Sequence, residues 1–333
     1  MDFRDKIKGR LRLPLIGSPL FIISVPDLVV AQCQAGVIGS MPTLNARPIE
    51  QLDDWLYEIS DRLEQHDKAN PDRPSAPYAM NLIVHRSNDR LEEDLQLVVK
   101  HKVPLVITSL GARVEVNEAV HSYGGHVIHD VINTKFAHKA IEKGADGLVL
   151  VASGAGGHAG ALSPFALMQE TRAWFDGVVA LSGSIAHGRS ILAAEAMGAD
   201  FAYMGSAFIA TEEARAVEEY KRMLVESAAD DIVYTNLITG VHGNYLKTSV
   251  RNAGLDPDNL ETSDKSAMNF AQGRNKKWKD IWGAGQSVSG IDAVLPAAEL
   301  VSRLHREYLE ARRKLGGASP LVNLNWAKLT QAA

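Results

Sequence analysis

The sequence predicts an α/β protein folded as a (β/α)8 barrel, the TIM-barrel architecture, with a helical cap inserted after the eighth strand. Three observations favour this fold. Apolar runs of strand length alternate with amphipathic helices, most of the runs begin roughly 20–35 residues apart, and about 210 residues hold eight such units. A doubly wound open sheet is the structural alternative, but eight units in this length fit a closed barrel better.

The strands are predicted from short apolar runs bounded by glycine, proline or polar residues. In chain order they cover residues 13–24, 36–40, 78–84, 104–109, 127–132, 147–152, 178–182 and 201–204. The helices between them are predicted from the 3.6-residue period of apolar positions and from start signals such as Pro26 and the Ser163-Pro164 pair. They cover residues 26–34, 49–63 and 88–100, and another begins at 163. Two more are predicted from apolar faces at 136–141 and 192–197, the second ending at Gly198.

The pattern changes after the eighth strand. Residues 211–229 have a helical pattern, 230–290 are less regular, and 291–315 have a helical pattern again. A segment of this length is too long for a simple connection, which predicts a lid over the barrel mouth. We therefore assign residues 1–210 and 291–315 to the barrel, 211–290 to a substrate-binding cap and 316–333 to a peripheral tail.

Composition excludes several classes of function. The chain is 46% hydrophobic and 23% charged, has a formal net charge of −5 and shows no dense basic stripe, which argues against nucleic-acid binding. It has no apolar run long enough to span a membrane and no signal-peptide core, so we expect a cytoplasmic protein. Cys33 is the sole cysteine, which rules out an intrachain disulfide, and no Cys/His cluster has zinc spacing. A homo-oligomer is compatible with the sequence, although no segment identifies an interface.

The loop after the sixth strand is the most informative segment. Residues 153–160 read Ser-Gly-Ala-Gly-Gly-His-Ala-Gly and follow an apolar run directly. Glycines allow backbone N–H groups to approach a ligand closely, and His158 can exchange a proton with whatever the loop holds. In a barrel, this loop lies at the C-terminal face, where the chemistry takes place.

Two further glycine-rich loops follow the seventh and eighth strands. They are Ser182-Gly183-Ser184 and Gly205-Ser206, the positions that frequently form a phosphate site in such barrels. A P-loop is excluded because no Walker-type lysine follows the glycines, and no GxGxxG unit with an acidic partner is present. A phosphate at one side of the mouth and a planar apolar body across it would suit flavin mononucleotide (FMN), although other phosphorylated ligands remain open.

Together these residues resemble the nitronate monooxygenase family, also called 2-nitropropane dioxygenase-like. The resemblance rests on segments 156–160, 182–189 and 204–208, with Ser18-Pro19-Leu20 and Asn81, and it covers nearly the whole chain. It implies a barrel that binds FMN without a covalent bond. It also implies Ser18, Pro19, Leu20 and Asn81 near the isoalloxazine, Ala155, Gly156 and Gly157 beside the flavin, and Ser182, Gly183, Ser184, Gly205 and Ser206 at the phosphate.

The resemblance further implies that His158 is the catalytic base in the oxidation of nitroalkanes or nitronates by O2 to a carbonyl compound and nitrite. His129 is expected to face the mouth, and His242, Asn244 and Tyr245 of the cap to contact substrate. The chain departs from the family at four places. Ser153 and Gly154 stand where an acidic residue is frequent, Asp130 where a lysine is frequent, Ser184 for a second glycine and Ser206 for threonine.

Two other functions fit the same residues. One is an NADH-dependent flavin reductase acting on an enoyl thioester or a quinone, which uses a similar barrel and histidine loop. The other, from a different class, is a flavin-binding protein without turnover, a reading that the absent acidic residue and lysine favour.

Overall fold

The computed structural model describes residues 2–262 and 280–316. Its strands are β1 (Leu15–Gly17), β2 (Gly39–Pro42), β3 (Tyr78–Ile83), β4 (Leu105–Ser109), β5 (His126–Val131), β6 (Gly147–Val151), β7 (Gly157–His158), β8 (Val178–Ser182), β9 (Phe201–Met204), β10 (Ile232–Thr235) and β11 (Gly243–Leu246).

The α-helices occupy the connections between the strands. They are α1 (Phe3–Lys6), α2 (Pro26–Gln34), α3 (Glu50–Ala69), α4 (Leu91–Lys100), α5 (Val114–His121), α6 (Thr134–Glu142), α7 (Pro164–Arg172), α8 (Gly188–Ala196), α9 (Ser206–Ile209), α10 (Glu218–Glu226), α11 (Lys247–Asn252) and α12 (Ala297–Leu315). In these ranges no helix is both long and apolar enough to cross a bilayer.

Eight parallel strands form the barrel, in the order β1-β9-β8-β6-β5-β4-β3-β2. The two ends of this order also meet, because Gly17 N–H donates to Ile38 O at 2.8 Å and Ile38 N–H donates to Leu15 O at 3.0 Å. An open doubly wound sheet would leave these edges apart. The predicted (β/α)8 barrel is therefore confirmed. The last six barrel strands lie within one residue of the predicted bounds, whereas β1 covers only Leu15–Gly17 of the predicted 13–24 and β2 is shifted to Gly39–Pro42 from the predicted 36–40.

The barrel interior is an apolar core of alternate strand residues, including Ile16, Ile107, Ile128 and Val149. Phe3 of α1 closes the N-terminal end, where its ring lies 5.3 Å from that of His126. Because side chains alternate along a strand, the intervening residues pack outward under the helices. Towards the C-terminal ends of β3, β4 and β5, the polar residues Asn81, Ser109 and Asp130 occupy inner-face positions, and this change positions the site.

Helix bounds depart from the prediction around the cap. The helical pattern of 211–229 becomes a helix only at α10, because residues 211–217 instead contact the chain before α12. Glu212 N–H donates to Leu295 O at 3.1 Å, and the Glu213 carboxylate accepts from Ala297 N–H at 2.9 Å. The helix expected from residue 291 begins at Ala297, directly after Pro296. Ser163 is the N-cap of α7 as predicted, but its side chain makes no capping hydrogen bond.

The cap contains a small sheet as well as helices. Strands β10, β11 and β7 pair antiparallel in that order, so the outer strand of this sheet is part of the loop after β6. Ile238, Tyr245, Val250 and Ile281 form a separate apolar cluster beneath it. The sequence prediction had placed 153–160 in the barrel and missed this sheet. Residues 263–279 of the predicted cap and 317–333 of the predicted tail lie outside the described residues.

Candidate active site

The C-terminal ends of the barrel strands bring the predicted loops together. Ser18 N–H donates to Met204 O at 2.8 Å, which places the loop after β1 beside the end of β9. A Cβ built on Gly205 would lie 3.4 Å from Leu20 Cδ2 and 3.5 Å from Ser18 Oγ. The segment 18–20 and the segment 205–206 are therefore neighbours at one side of the mouth.

The loop after β6 is held on both sides by backbone hydrogen bonds. Ser153 N–H donates to Leu162 O at 2.8 Å, and Ala159 N–H donates to His242 O at 3.1 Å. The buried side chain of Asn244 donates from Nδ2 to Ala155 O at 2.6 Å. This loop therefore has a defined shape that depends on contacts with the cap.

His158 lies on this loop, in β7, and is half-buried. Its Nε2 is 2.9 Å from Thr239 Oγ1, and the Thr239 hydroxyl donates to Val241 O at 3.1 Å. A hydroxyl has one proton, so with that proton on the carbonyl, Oγ1 accepts from Nε2–H of the neutral ring. With Oγ1 accepting in this way, Thr239 holds the imidazole by Nε2.

The glycines of the mouth are required by close packing between loops. A Cβ on Gly156 would lie 2.8 Å from Gly285 N, and a Cβ on Gly183 would lie 2.6 Å from Ser153 O. Gly183 also has φ +131°, a region that side-chain-bearing residues rarely adopt. Three segments, 153–160, 182–184 and 284–286, thus pack backbone against backbone, so main-chain groups line this side of the mouth. We call these three segments the cradle; a lining of main-chain groups is of the kind that suits the phosphate and ring edge of a flavin.

The serines predicted to bind phosphate differ in the burial and hydrogen bonding of their side chains. Ser206 Oγ accepts from Gly285 N–H at 2.9 Å, so this buried hydroxyl connects the loop after β9 to the segment 284–286. Ser184 N–H donates to Gly154 O at 3.3 Å, while its side chain is exposed at φ +56°. Ser182, the last residue of β8, is buried.

A directed chain of hydrogen bonds forms the floor of the mouth. Asn81 Nδ2 donates to Ile107 O at 2.9 Å and to Ser109 Oγ at 2.7 Å. Ser109 Oγ then donates to Asp130 Oδ2 at 2.5 Å. The second carboxylate oxygen, Oδ1, is buried and has no partner among the described residues. Burial raises the pKa of Asp130 to about 6, although the Ser109 hydrogen bond opposes this shift.

Of the candidate substrate residues, His129 and Tyr245 are buried, whereas His242 is exposed. His129 was expected to face the mouth, and this expectation is wrong: strand alternation turns its side chain outward, where Nδ1 lies 2.6 Å from Thr108 Oγ1 under the helices. Tyr245 is buried in the apolar cluster of the cap. The ring of His242 is exposed and stacks on Tyr234, with centroids 5.1 Å apart.

Sequence reasoning missed several residues of the site. Thr239, Gly285 and Gln286 reach it from the cap segment, where no motif marks them; Gln286 N–H donates to Gly154 O at 2.9 Å. Ser109 and Tyr203 lie on inner-face positions near the C-terminal ends of β4 and β9. Strand alternation alone would have identified these two as floor residues.

Comparisons with known proteins bear on the family and the fold of this chain. The family model described as "Nitronate monooxygenase" matches residues 6–307. A nitronate monooxygenase from Paraburkholderia phytofirmans is 27% identical, and the match covers 93% of this chain and 98% of that protein.

Two solved structures are similar in fold. A nitroalkane oxidase from Streptomyces ansochromogenes superposes with a TM-score of 0.76 at 21% identity, covering 92% of this chain and 99% of that one. FabK from Thermotoga maritima superposes with a TM-score of 0.75 at 21% identity, covering 94% and 98%.

Proposed function

This chain belongs to the nitronate monooxygenase family of flavin-dependent oxidoreductases, and from that premise we propose that it oxidises nitronates or nitroalkanes with O2, using FMN. The products are a carbonyl compound and nitrite. The observation that supports this most directly is the position of His158, on a glycine loop at the barrel mouth with its ring oriented by Thr239.

His158 acts as the general base in this proposal. The α-carbon proton of a nitroalkane is acidic, and a neutral imidazole is a suitable acceptor near neutral pH. Thr239 holds one ring nitrogen, and we assign the proton-accepting role to the other, Nδ1. A substrate that enters already deprotonated, as a nitronate, does not need this step.

The mouth residues would hold FMN in two parts. Ser182, Gly183, Ser184, Gly205 and Ser206 would surround the phosphate, and Ser18, Pro19, Leu20, Asn81, Ala155, Gly156 and Gly157 would border the ring. The flavin supplies the electron transfer from the substrate and the reaction with O2, while the protein supplies position and electrostatics. Asn244 positions the loop by its hydrogen bond to Ala155 O, in place of the substrate contact expected from the sequence.

Replacement of His158 tests this function. In air, the FMN-loaded His158→Asn variant is expected to release nitrite from 2-nitropropane at least roughly a hundredfold more slowly, the range typical for loss of a general base, and to keep most of its activity on the preformed nitronate. His138→Asn, on the outer surface and stacked on Trp174 at 3.7 Å, is the matched control. Equal nitrite release by the His158 variant would remove this residue from the mechanism, and a protein that takes up no FMN would refute the flavin assignment.

The NADH-dependent reductase is distinguished by one further measurement. Without O2, rapid bleaching of the bound flavin by NADH would favour a reductase, whereas bleaching by a nitronate alone would favour the oxidase. A protein whose flavin reacts with neither donor would fit the binding protein without turnover.

A further inference from the structure

We propose that Asp130 is a redox-linked proton store in the floor of the cofactor site, where its carboxylate takes up one proton as a bound flavin gains electrons. This inference rests on the proposed function, because it requires FMN above the floor. It concerns a residue that the base mechanism does not use.

The first support is the direction of the hydrogen bonds. Asn81 must present its Nδ2 to Ile107 O, since a carbonyl only accepts, and the same nitrogen donates to Ser109 Oγ. The single Ser109 proton is then given to Asp130 Oδ2. Because Oδ2 is occupied as an acceptor, any proton that Asp130 binds must reside on Oδ1, the buried oxygen without a partner among the described residues.

The second support is the surroundings of this carboxyl group. β4 presents Ser109, β3 presents Asn81, and β6 presents aliphatic residues, with Val149 in register with Asp130. The titratable group facing it is Tyr203 of β9, whose pKa is raised by burial and by the charge of Asp130. In the described ranges, no lysine, arginine or histidine acts on the pKa of Asp130.

The consequence is a group poised between two protonation states near neutral pH. Burial already brings the pKa of this carboxyl to about 6. A flavin ring that accepts two electrons and one proton keeps one negative charge, and in a low-dielectric site such a charge raises the pKa of a nearby acid further. At pH 7, Asp130 then binds a proton on reduction and releases it on oxidation.

The protons balance over one cycle. A bound ring that gains two electrons and one proton would lead one solvent proton to form an O–H bond at Asp130 Oδ1, with no bond at the protein broken. Reoxidation by O2 would remove the two electrons and the ring proton, and together with the Asp130 proton, released through solvent, these would give hydrogen peroxide.

The test measures the affinity of the holoenzyme for reduced relative to oxidised FMN, from reduction potentials between pH 5 and 9. In the wild type this ratio is expected to fall with increasing pH by one additional factor of ten per pH unit compared with Asp130→Asn. This difference is expected between the pKa of Asp130 with oxidised FMN bound and its pKa with reduced FMN bound. Asp54→Asn, which removes an exposed carboxylate on α3, is the matched control and should follow the wild type. A pH dependence that is the same in Asp130→Asn and wild type overturns the inference.

Two further measurements test the proposal if Asp130→Asn does not fold or if the pH dependence of the affinity ratio is weak. Ser109→Ala removes the hydrogen bond that favours the charged carboxylate, so the window is expected to move to higher pH without disappearing. Infrared difference spectra on reduction should show a carboxylic acid band in the wild type that is absent in Asp130→Asn; the absence of this band in the wild type refutes the proposal. Failure to bind FMN would instead refute the proposed function, so the two failures are distinguishable.

Discussion

Asn244 and Ala155 connect the cap to the loop that contains the proposed base. The side-chain amide of Asn244 donates to Ala155 O at 2.6 Å, across a sequence separation of 89 residues. Because the Asn244 side chain is buried, replacing it by an apolar residue leaves Ala155 O without this hydrogen-bond donor.

Asn244→Leu is therefore expected to destabilise the fold and the site together. Loss of a buried hydrogen-bond donor costs about 1–3 kcal/mol of unfolding free energy, and a loosened loop should lower kcat/KM by about tenfold. Asn117→Leu is the matched control, because its buried amide donates to Lys143 O at 2.8 Å in the outer helix layer. A similar loss of stability without the loss of kcat/KM is expected there. Equal effects of both variants on activity would contradict the positioning role of Asn244.

Thr239→Val tests the orientation of His158. Valine keeps the volume but removes the acceptor for Nε2–H, so we expect kcat on nitroalkane to fall by about tenfold or more, with little change in FMN affinity. Thr171→Val, which removes a buried hydroxyl bonded to Leu167 O in α7, is the control. Steady-state kinetics and FMN titration separate the outcomes, and an unchanged kcat would mean that Thr239 does not orient the ring.

Gly156→Ala tests the packing of the cradle. The added Cβ would lie 2.8 Å from Gly285 N and 3.1 Å from Ala284 C, and both are backbone atoms that cannot turn aside. The loops must separate, so FMN should bind at least about tenfold more weakly. At Gly316 the nearest atom would lie 3.5 Å away, and Gly316→Ala should bind FMN normally. Fluorescence titration measures the FMN affinity of both variants. Unaltered binding by Gly156→Ala would show that the segment 284–286 can move away from the added Cβ without affecting the FMN site.

Asp130 should make the apoprotein less stable as pH rises. The unfolded carboxyl ionises near 3.8 and the folded one near 6, so between these values the folded state holds more protons and stability falls with increasing pH. Asp130→Asn is then expected to raise the unfolding free energy at pH 7 by on the order of 2 kcal/mol, and the gain should vanish towards pH 4. Urea unfolding at several pH values checks this, and a gain independent of pH would point to packing instead.

His129 acts in the opposite direction. Burial and the positive charge of Lys143 lower its pKa from 6.5 to about 4, so between these values the unfolded state binds the extra proton and stability falls with decreasing pH. His129→Asn keeps a group that can bond to Thr108 and removes the titration. Its unfolding free energy should depend less on pH between 6.5 and 4 than that of the wild type; an equal slope would contradict this assignment.

The barrel was predictable because its strands are buried on both faces. Parallel strands under helices read as short apolar runs, and Pro26 marks the beginning of α2, which ends at Gln34 as predicted. Strand alternation also predicts the direction of individual side chains. With Ile128 in the interior, His129 has to point outward and Asp130 inward, so the direction of both residues follows from the sequence pattern.

The contacts between cap and barrel were not predictable from local pattern. β10 and β11 are four residues each, and their partner β7 is only two residues long. Thr239 reaches His158 across 81 residues, and Gly285 reaches Ser206 across 79. Such pairs depend on how the chain folds back in three dimensions, and neither residue type is distinctive on its own.

The pairing of β7 with β11 limits how substrate specificity can be exchanged between relatives. The module proposed to bind substrate is discontinuous, because residues 157–158 pair with residues 243–244 in a defined register. A chimera that exchanges only residues 211–290 would place a foreign edge strand against the native histidine segment. Crossover points that also bracket residues 153–162 preserve that interface. In lineages of this architecture, the two segments should therefore be inherited together.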